Sequence, residues 1–315
     1  MLLLRRLLLL AIAGMLAATP PARADDANTV HVLAVPIDLY AQAYYAQDIG
    51  LFKAGGLDVE ITTLANGGVT ATALAGGSGD IGVSNTVQIA TAIARGLPLT
   101  VIAGAGMYTT KAPSTAICVT KSSPLRTAHD LEGKTLAVAA LNDQSTIALK
   151  KWMTDNGADY KKVRMIELGY PEMIAALPAG RIDAAMLAEP WQTTARNGDD
   201  RLFAKPFDSI APEFNIGVWA TTRAWAQAHP DAVKRFTGAI YAAAKWANTH
   251  HDESALILAK YAKADPKVIG GMIRVVHSTD LEAGHIQPAL DAAFQFQQLD
   301  KKMNASDLIW SPGGK

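Results

Sequence analysis

The strongest constraint on this chain is a strand–helix alternation that runs through once and then starts again. Residues 30–35 are β-branched and apolar, the pattern of a buried strand. Apolar positions over 41–54 keep a helical spacing and stop at Gly55-Gly56, a helix end. Residues 57–62 alternate as a strand, 68–74 read as a short helix before Gly76-Gly77, 80–83 as a strand, 86–94 as a helix stopped by Gly96, and 99–103 as a strand. The second run places strands over 135–139, 163–168 and 182–187, with helices over 145–153 and 172–177. Strands and helices alternating at these lengths predict βαβ units and a mostly parallel sheet in each run.

The two runs resemble each other in detail. TALAGGSGDI at 72–81 and AALPAGRID at 175–183 each combine a short helix, a glycine break, an aspartate and an apolar strand. From the opening strand to this point is 51 residues in the first run (Val30 to Ile81) and 47 in the second (Thr135 to Ile182). The economical reading is an α/β protein of two similar lobes. From Arg223 onward the pattern is nearly all helix, over 232–248, 253–262, 267–276 and 281–303. So many helices must cover a sheet face, and they are expected to return to the first lobe. Two crossing strands, near 115–120 and 217–221, would then join the lobes, giving residues 25–114 and 220–315 to the first and 115–219 to the second. A double connection of this kind makes a hinge that opens and closes a cleft.

The first 24 residues read as a secretory signal peptide: Arg5-Arg6, an apolar run over 7–18, a helix-breaking Thr19-Pro20-Pro21, and Ala22-Arg23-Ala24 as a cleavage site. The apolar run is shorter than the ~20 residues a spanning helix needs. Formal charge is balanced, with 29 basic and 29 acidic residues, and no basic stripe favours nucleic acid. Cys118 is the single cysteine, so no internal disulfide can form. Its apolar neighbours Ile117 and Val119 place it on a buried strand.

Four segments carry a resemblance to a known family: YYAQDIGLFKAGGLDVE at 44–60, GGSGDIGVSN at 76–85, LEGKTLAV at 131–138 and AEPW at 188–191. In order and spacing the chain resembles, over roughly 30–244, the type II periplasmic binding proteins of ABC importers for nitrate, alkanesulfonates, taurine and thiamin-precursor pyrimidines. The resemblance implies two βαβ lobes, capture of a small-molecule ligand between them, and delivery to an ABC permease in the inner membrane. It implies no cofactor and no metal, and a periplasmic monomer. Fold alone does not license the function, but an export signal beside it fits a solute met outside the cytoplasm.

In open α/β sheets ligands bind beyond the C-terminal ends of strands, where helix starts offer unpaired N–H groups. The candidate ligand-binding residues are therefore Asp38 and Tyr40 after the first strand, Gly67 and Gly68 after the second, and Ser84, Asn85 and Thr86 after the third. Thr109 follows a later strand. In the second lobe come Asn142, Gln144, Ser145 and Thr146 around Asp143, then Glu189 and Trp191, and Asn215 precedes the returning strand. Each also has a structural reading: Gly67-Gly68 as a turn, Ser84 to Thr86 as a helix cap, Glu189 and Pro190 as a helix start, Trp191 as core. The 142–146 loop resembles in position the family's Gly/Ser/Thr ligand loop, and Asp143 is a departure from it.

Asp38, Asp143 and Glu189 near strand ends disfavour a bare anion such as nitrate, and no clustered Arg pair compensates them; Arg196 is the nearest candidate. A ligand with a donor end, an aminosulfonate or a hydroxymethylpyrimidine, suits them better, with a pyrimidine or aromatic carboxylate as alternatives. An enzyme is the rival class, since the same fold hosts a pyrimidine synthase. That enzyme needs a Cys-rich motif absent here, and there is no GxSxG or HExxH. His250 and His251 are adjacent and would point to different helix faces. A sensory module read by a membrane receptor is a third possibility.

Overall fold

Each alternating run supplies the parallel strands of one five-stranded sheet, and the two sheets repeat the same strand order. The computed structural model describes residues 29–313; the expected signal peptide lies outside them. The first sheet holds β1 (Thr29–Ala34), β2 (Asp58–Thr63), β3 (Ile81–Asn85), β4 (Leu99–Gly104) and β12 (Gly217–Thr222), in the order β2-β1-β3-β12-β4. β1 runs parallel to β2 and β3, while β12 is antiparallel to both β3 and β4. The second sheet holds β6 (Thr115–Thr120), β7 (Thr135–Val138), β8 (Arg164–Glu167), β9 (Ala184–Ala188) and β10 (Asp200–Ala204), in the order β10-β6-β9-β7-β8. Here too β7 is parallel to β8 and β9, and β6 is the antiparallel insert. Read from its parallel edge, each sheet is the other's counterpart, and each inserted strand is the first one reached after the chain has crossed over. The two segments expected as crossing strands are thus central strands, β6 of the second sheet and β12 of the first. The passages themselves lie just before them, over 110–114 and 205–216.

A small antiparallel sheet straps this junction. It joins β11 (Glu213–Asn215), β5 (Gly106–Thr109) and β13 (Val276–His277) in the order β11-β5-β13. These short strands carry no hydrophobic alternation long enough to read from sequence, and the helix expected over 267–276 stops at Gly271, short of β13.

The helices follow from their apolar spacing and stops. The helix expected over 41–54 is divided into α1 (Gln42–Asp48) and α2 (Leu51–Ala54), because Gly50 takes the left-handed conformation at φ +77°. α3 (Thr70–Ala75) and α4 (Thr86–Ala94) complete the first run, and α5 (Gln144–Asp155), α6 (Tyr170–Ala176) and α7 (Trp191–Asn197) the second. After α8 (Arg223–Ala228) come α9 (Pro230–Ala247), α10 (His251–Ala262), α11 (Pro266–Gly271), α12 (Ala283–Gln295) and α13 (Ala305–Leu308). The helix expected over 281–303 stops at Gln295, with Gln297 at φ +59°.

The C-terminal helices cover both faces of the first sheet. Phe236, Ile240 and Ala243 of α9 and Leu258 of α10 bury with β1 residues Val30, Val32 and Ala34 and with Tyr44, Tyr45 and Phe52. On the other face Ile286, Ala289 and Leu290 of α12 bury with Leu99, Val101 and Val218. The second sheet has its own two cores, one around Leu136, Leu149 and Met153, the other around Cys118, Met173 and Leu187. Ile147 and Ala148 of α5 belong instead to the first lobe's core, with Phe207, Phe214 and Ile216. Tyr160 meets Phe296 edge to face at 5.7 Å. The two lobes are therefore in contact on the α5 side.

Candidate functional site

Between the sheets, the starts of α4, α5, α6 and α7 follow strand ends, and their caps decide what each can offer a ligand. At α4, Asn85 Oδ1 accepts from the Gln88 amide at 2.8 Å. Ser84 Oγ lies 2.7 Å from the Gly67 carbonyl oxygen and 2.9 Å from Gln88 Oε1, so it holds the Gly67 turn on β3. A Cβ on Gly67 would stand 3.2 Å from Ser84 Cα, which explains the glycine. Asn66 Oδ1 caps the same turn by accepting from the Gly68 amide. Thr86 donates its hydroxyl to the Asn215 carbonyl at 2.8 Å, joining α4 to β11. Thr109 Oγ1 accepts from the Ala112 amide and shapes the first passage between lobes. Ser84, Thr86, Gly67 and Thr109 are thus occupied within the framework.

Two of the three expected acids are also fully engaged. Asp38 is buried and accepts from Arg274 Nε at 3.1 Å, Arg274 Nη2 and Tyr45 Oη at 2.9 Å, and the Val275 amide at 2.8 Å. His277 stands 3.8 Å away. Burial alone would raise the Asp38 pKa; His277 and the Arg274 guanidinium outweigh it and hold the carboxyl well below the usual range. Glu189 accepts from Gln192 Nε2, the Thr193 amide, the Thr193 hydroxyl and, in the other lobe, the Ile273 amide at 3.2 Å. It ties the lobes beside the first passage, where its own amide donates to the Ser114 carbonyl. Burial pushes its pKa up.

Asp143 is different. It caps α5, with Oδ1 accepting from Ser145 Oγ at 2.6 Å and the Thr146 amide at 3.0 Å. Thr146 spends its hydroxyl on the Ala140 carbonyl at 2.7 Å. Among the described residues Asp143 has no Lys, Arg or His in an ion pair. Burial raises its pKa against the pull of Ser145 and Thr146, although its side chain remains partly accessible to solvent.

The hydroxyls of Tyr40 and Tyr170 lie near enough to that carboxylate to feel its charge. Tyr170 and Trp191 stack in the second lobe, centroids 6.4 Å apart and planes 19° from parallel. Tyr40 comes from the first lobe, its ring against Gly217, where a Cβ would lie only 2.7 Å from Tyr40 Cε1. Burial raises the pKa of the Tyr40 hydroxyl, and the nearby Tyr170 and Asp143 raise it further. Sequence reasoning missed Tyr170, although it follows β8 and the strand-end rule applied to its neighbours reaches it.

Two buried amides are left without partners. Gln144, at the first turn of α5, has neither Oε1 nor Nε2 bonded, and Asn215, at the end of β11, has neither Oδ1 nor Nδ2 bonded. Buried polar groups are ordinarily paired, so these four atoms have bonding capacity left for a ligand or water. Gln144 shares a helix face with Ile147 and Ala148, which pack on the Phe214–Ile216 segment that flanks Asn215. Gly68 and Asn142 meet elsewhere, in a 420 Å³ cavity with Gln88, Arg95 and Gln298. Tyr40, Tyr170 and Trp191 do not line this cavity.

Among the described residues no helix is long and apolar enough to cross a membrane, and no group of His, Cys, Asp or Glu could hold a metal ion. No curated protein matches the chain. The structure is similar to the periplasmic aliphatic sulphonate binding protein SsuA from Escherichia coli, with 18% identity, TM-score 0.76, and 90% of this chain and 92% of that one covered. It is also similar to the alkanesulfonate-binding protein SsuA from Xanthomonas axonopodis pv. citri bound to MOPS, with 19% identity, TM-score 0.73, and coverage of 90% and 98%. A third similar structure is the periplasmic nitrate-binding protein NrtA from Synechocystis PCC 6803, with 16% identity, TM-score 0.72, and coverage of 90% and 85%. At these identities the likeness speaks for the fold. The family model described as NMT1/THI5 like matches residues 39–254, more than half of the sequence. With two sheets of matching strand order and that match, the chain belongs to the NMT1/THI5-like family and has the type II periplasmic binding protein fold.

Proposed function

We propose that this protein captures a small polar organic solute in the periplasm and presents it to an ABC importer by closing its two lobes. The observation that carries the reading is the pair of unbonded buried amides, Gln144 and Asn215; the reading assigns Tyr40, Asp143, Tyr170 and Trp191 to the wall of the same interlobe cleft. Two chain passages at the junction supply the hinge, and a solute that prefers the closed lobes shifts their population toward closure. The solute carries a hydrogen-bond donor end, as an aminosulfonate does. The stacked Tyr170 and Trp191 favour a planar alternative, a hydroxymethylpyrimidine or an aromatic carboxylate. The first 24 residues serve as the export signal, the lobes divide at the two passages over 110–114 and 205–216 rather than within β12, and the protein acts as a monomer without catalysis.

A thermal-shift panel of sulfonates, nitrate, pyrimidines and aromatic carboxylates tests the reading. A ligand present at 100 times its dissociation constant adds about 2.7 kcal/mol of stability, a shift such a scan resolves. Turnover of a bound solute, or silence across the panel, counts against the proposal.

A further inference from the structure

We infer that the second-lobe wall of this cleft is a subsite for a positively charged nitrogen, with Asp143 as its counter-ion and Tyr40, Tyr170 and Trp191 as its aromatic walls. The inference rests on the solute-capture reading and narrows it. The helix starts argue first. An anion site at a helix N-terminus needs free N–H groups, and all three helix starts of the second lobe already hold a carboxylate. Asp143 takes the Thr146 amide of α5, Glu172 takes the Gly169 amide ahead of α6 at 3.0 Å, and Glu189 takes the Thr193 amide of α7. A nitrate or an amine-free sulfonate placed there would meet negative charge.

Asp143 alone of these carboxylates combines a place in the cleft with no cation beside it. Glu189 is saturated by four donors, and Asp38 is neutralised by Arg274. Glu172 lies at the surface. Asp143 acts on the hydroxyls of two tyrosines, Tyr40 from the first lobe and Tyr170 from its own, and Tyr170 in turn stacks on Trp191. Ring faces attract a cation through their quadrupole, and a desolvated site strengthens the attraction. Gln144, the next residue, adds an unbonded amide oxygen that accepts from an ammonium or amino group. A ligand that brings positive charge satisfies the carboxylate, the rings and the amide together.

The test is calorimetry on the mature chain with two near-isosteric ligand pairs: taurine and propane-1-sulfonate, and choline and 3,3-dimethylbutan-1-ol. Asp143→Asn is the companion variant. Asparagine caps a helix about as well as aspartate, so the fold is retained while the charge is lost. The inference predicts that in at least one pair the nitrogen-bearing member binds tenfold or more tightly, and that Asp143→Asn erases the preference. Equal or tighter binding of the nitrogen-free members, or tight binding of nitrate or sulfate alone, overturns the inference and leaves solute capture standing. If no member of the pairs or of the wider panel binds, the capture reading itself fails.

Discussion

Replacing Asp38 by asparagine should destabilise the protein severely while leaving ligand binding in place. The Asp38 and Arg274 side chains are 1% and 7% exposed, so the ion pair is buried. The substituted amide would keep the shape but turn an N–H donor toward guanidinium and backbone donors, leaving the Arg274 charge without a counter-ion. Breaking one half of a buried pair costs about 3–5 kcal/mol. For a chain of this length that lowers the unfolding midpoint by about 6–10 °C. Calorimetry and urea unfolding at neutral pH measure the loss, and a double-mutant cycle with Arg274→Met isolates the coupling. The sign with pH also follows. The folded pKa of Asp38 lies below its ordinary value, so its contribution is complete above the ordinary carboxylate range and fades as pH falls through the folded value. Asp38→Asn should therefore show a shallower acid limb below about pH 4 than the parent. A loss under about 1 kcal/mol, with coupling near zero, would refute the structural role assigned to this cluster.

Other substitutions probe the cleft and the core. Gln144→Leu and Asn215→Leu remove amides that make no bonds, so each should leave the unliganded protein as stable or about 1 kcal/mol more stable while abolishing ligand-induced thermal shifts. Gly217→Ala puts a methyl into the Tyr40 ring and should cost about 1–3 kcal/mol in thermal unfolding as well as weaken ligand binding. Cys118 is fully buried and burial pushes its thiol up to about 12, so a colorimetric thiol reagent should react only after denaturant is added.

Much of this architecture is legible in the sequence because its signals are local. The β-branched run that makes β1, the glycine stop at Gly55-Gly56 and the repeated Gly-Asp phrases each act over a few residues, and the sheets follow from them. The strand-end rule also selected Tyr40, Gln144, Trp191 and Asn215, which the proposed site retains. What it could not see is where a polar side chain spends its bonds. Asp38 looks like a ligand carboxylate until Arg274, 236 residues away, is brought against it. Glu189 looks free until Ile273 reaches it from the other lobe. Thr86 and Ser84 likewise serve backbone carbonyls set in place by pairing distant in sequence. The junction strands β5, β11 and β13 are too short to leave a periodicity, so the strap across the passages emerges only in three dimensions.

Small-angle X-ray scattering with and without a stabilising solute tests the central claim most directly. Hinged closure around a bound molecule predicts a smaller radius of gyration and a shorter maximum dimension in the liganded protein. Identical curves from a protein shown by calorimetry to be saturated would contradict a cleft that shuts on its cargo.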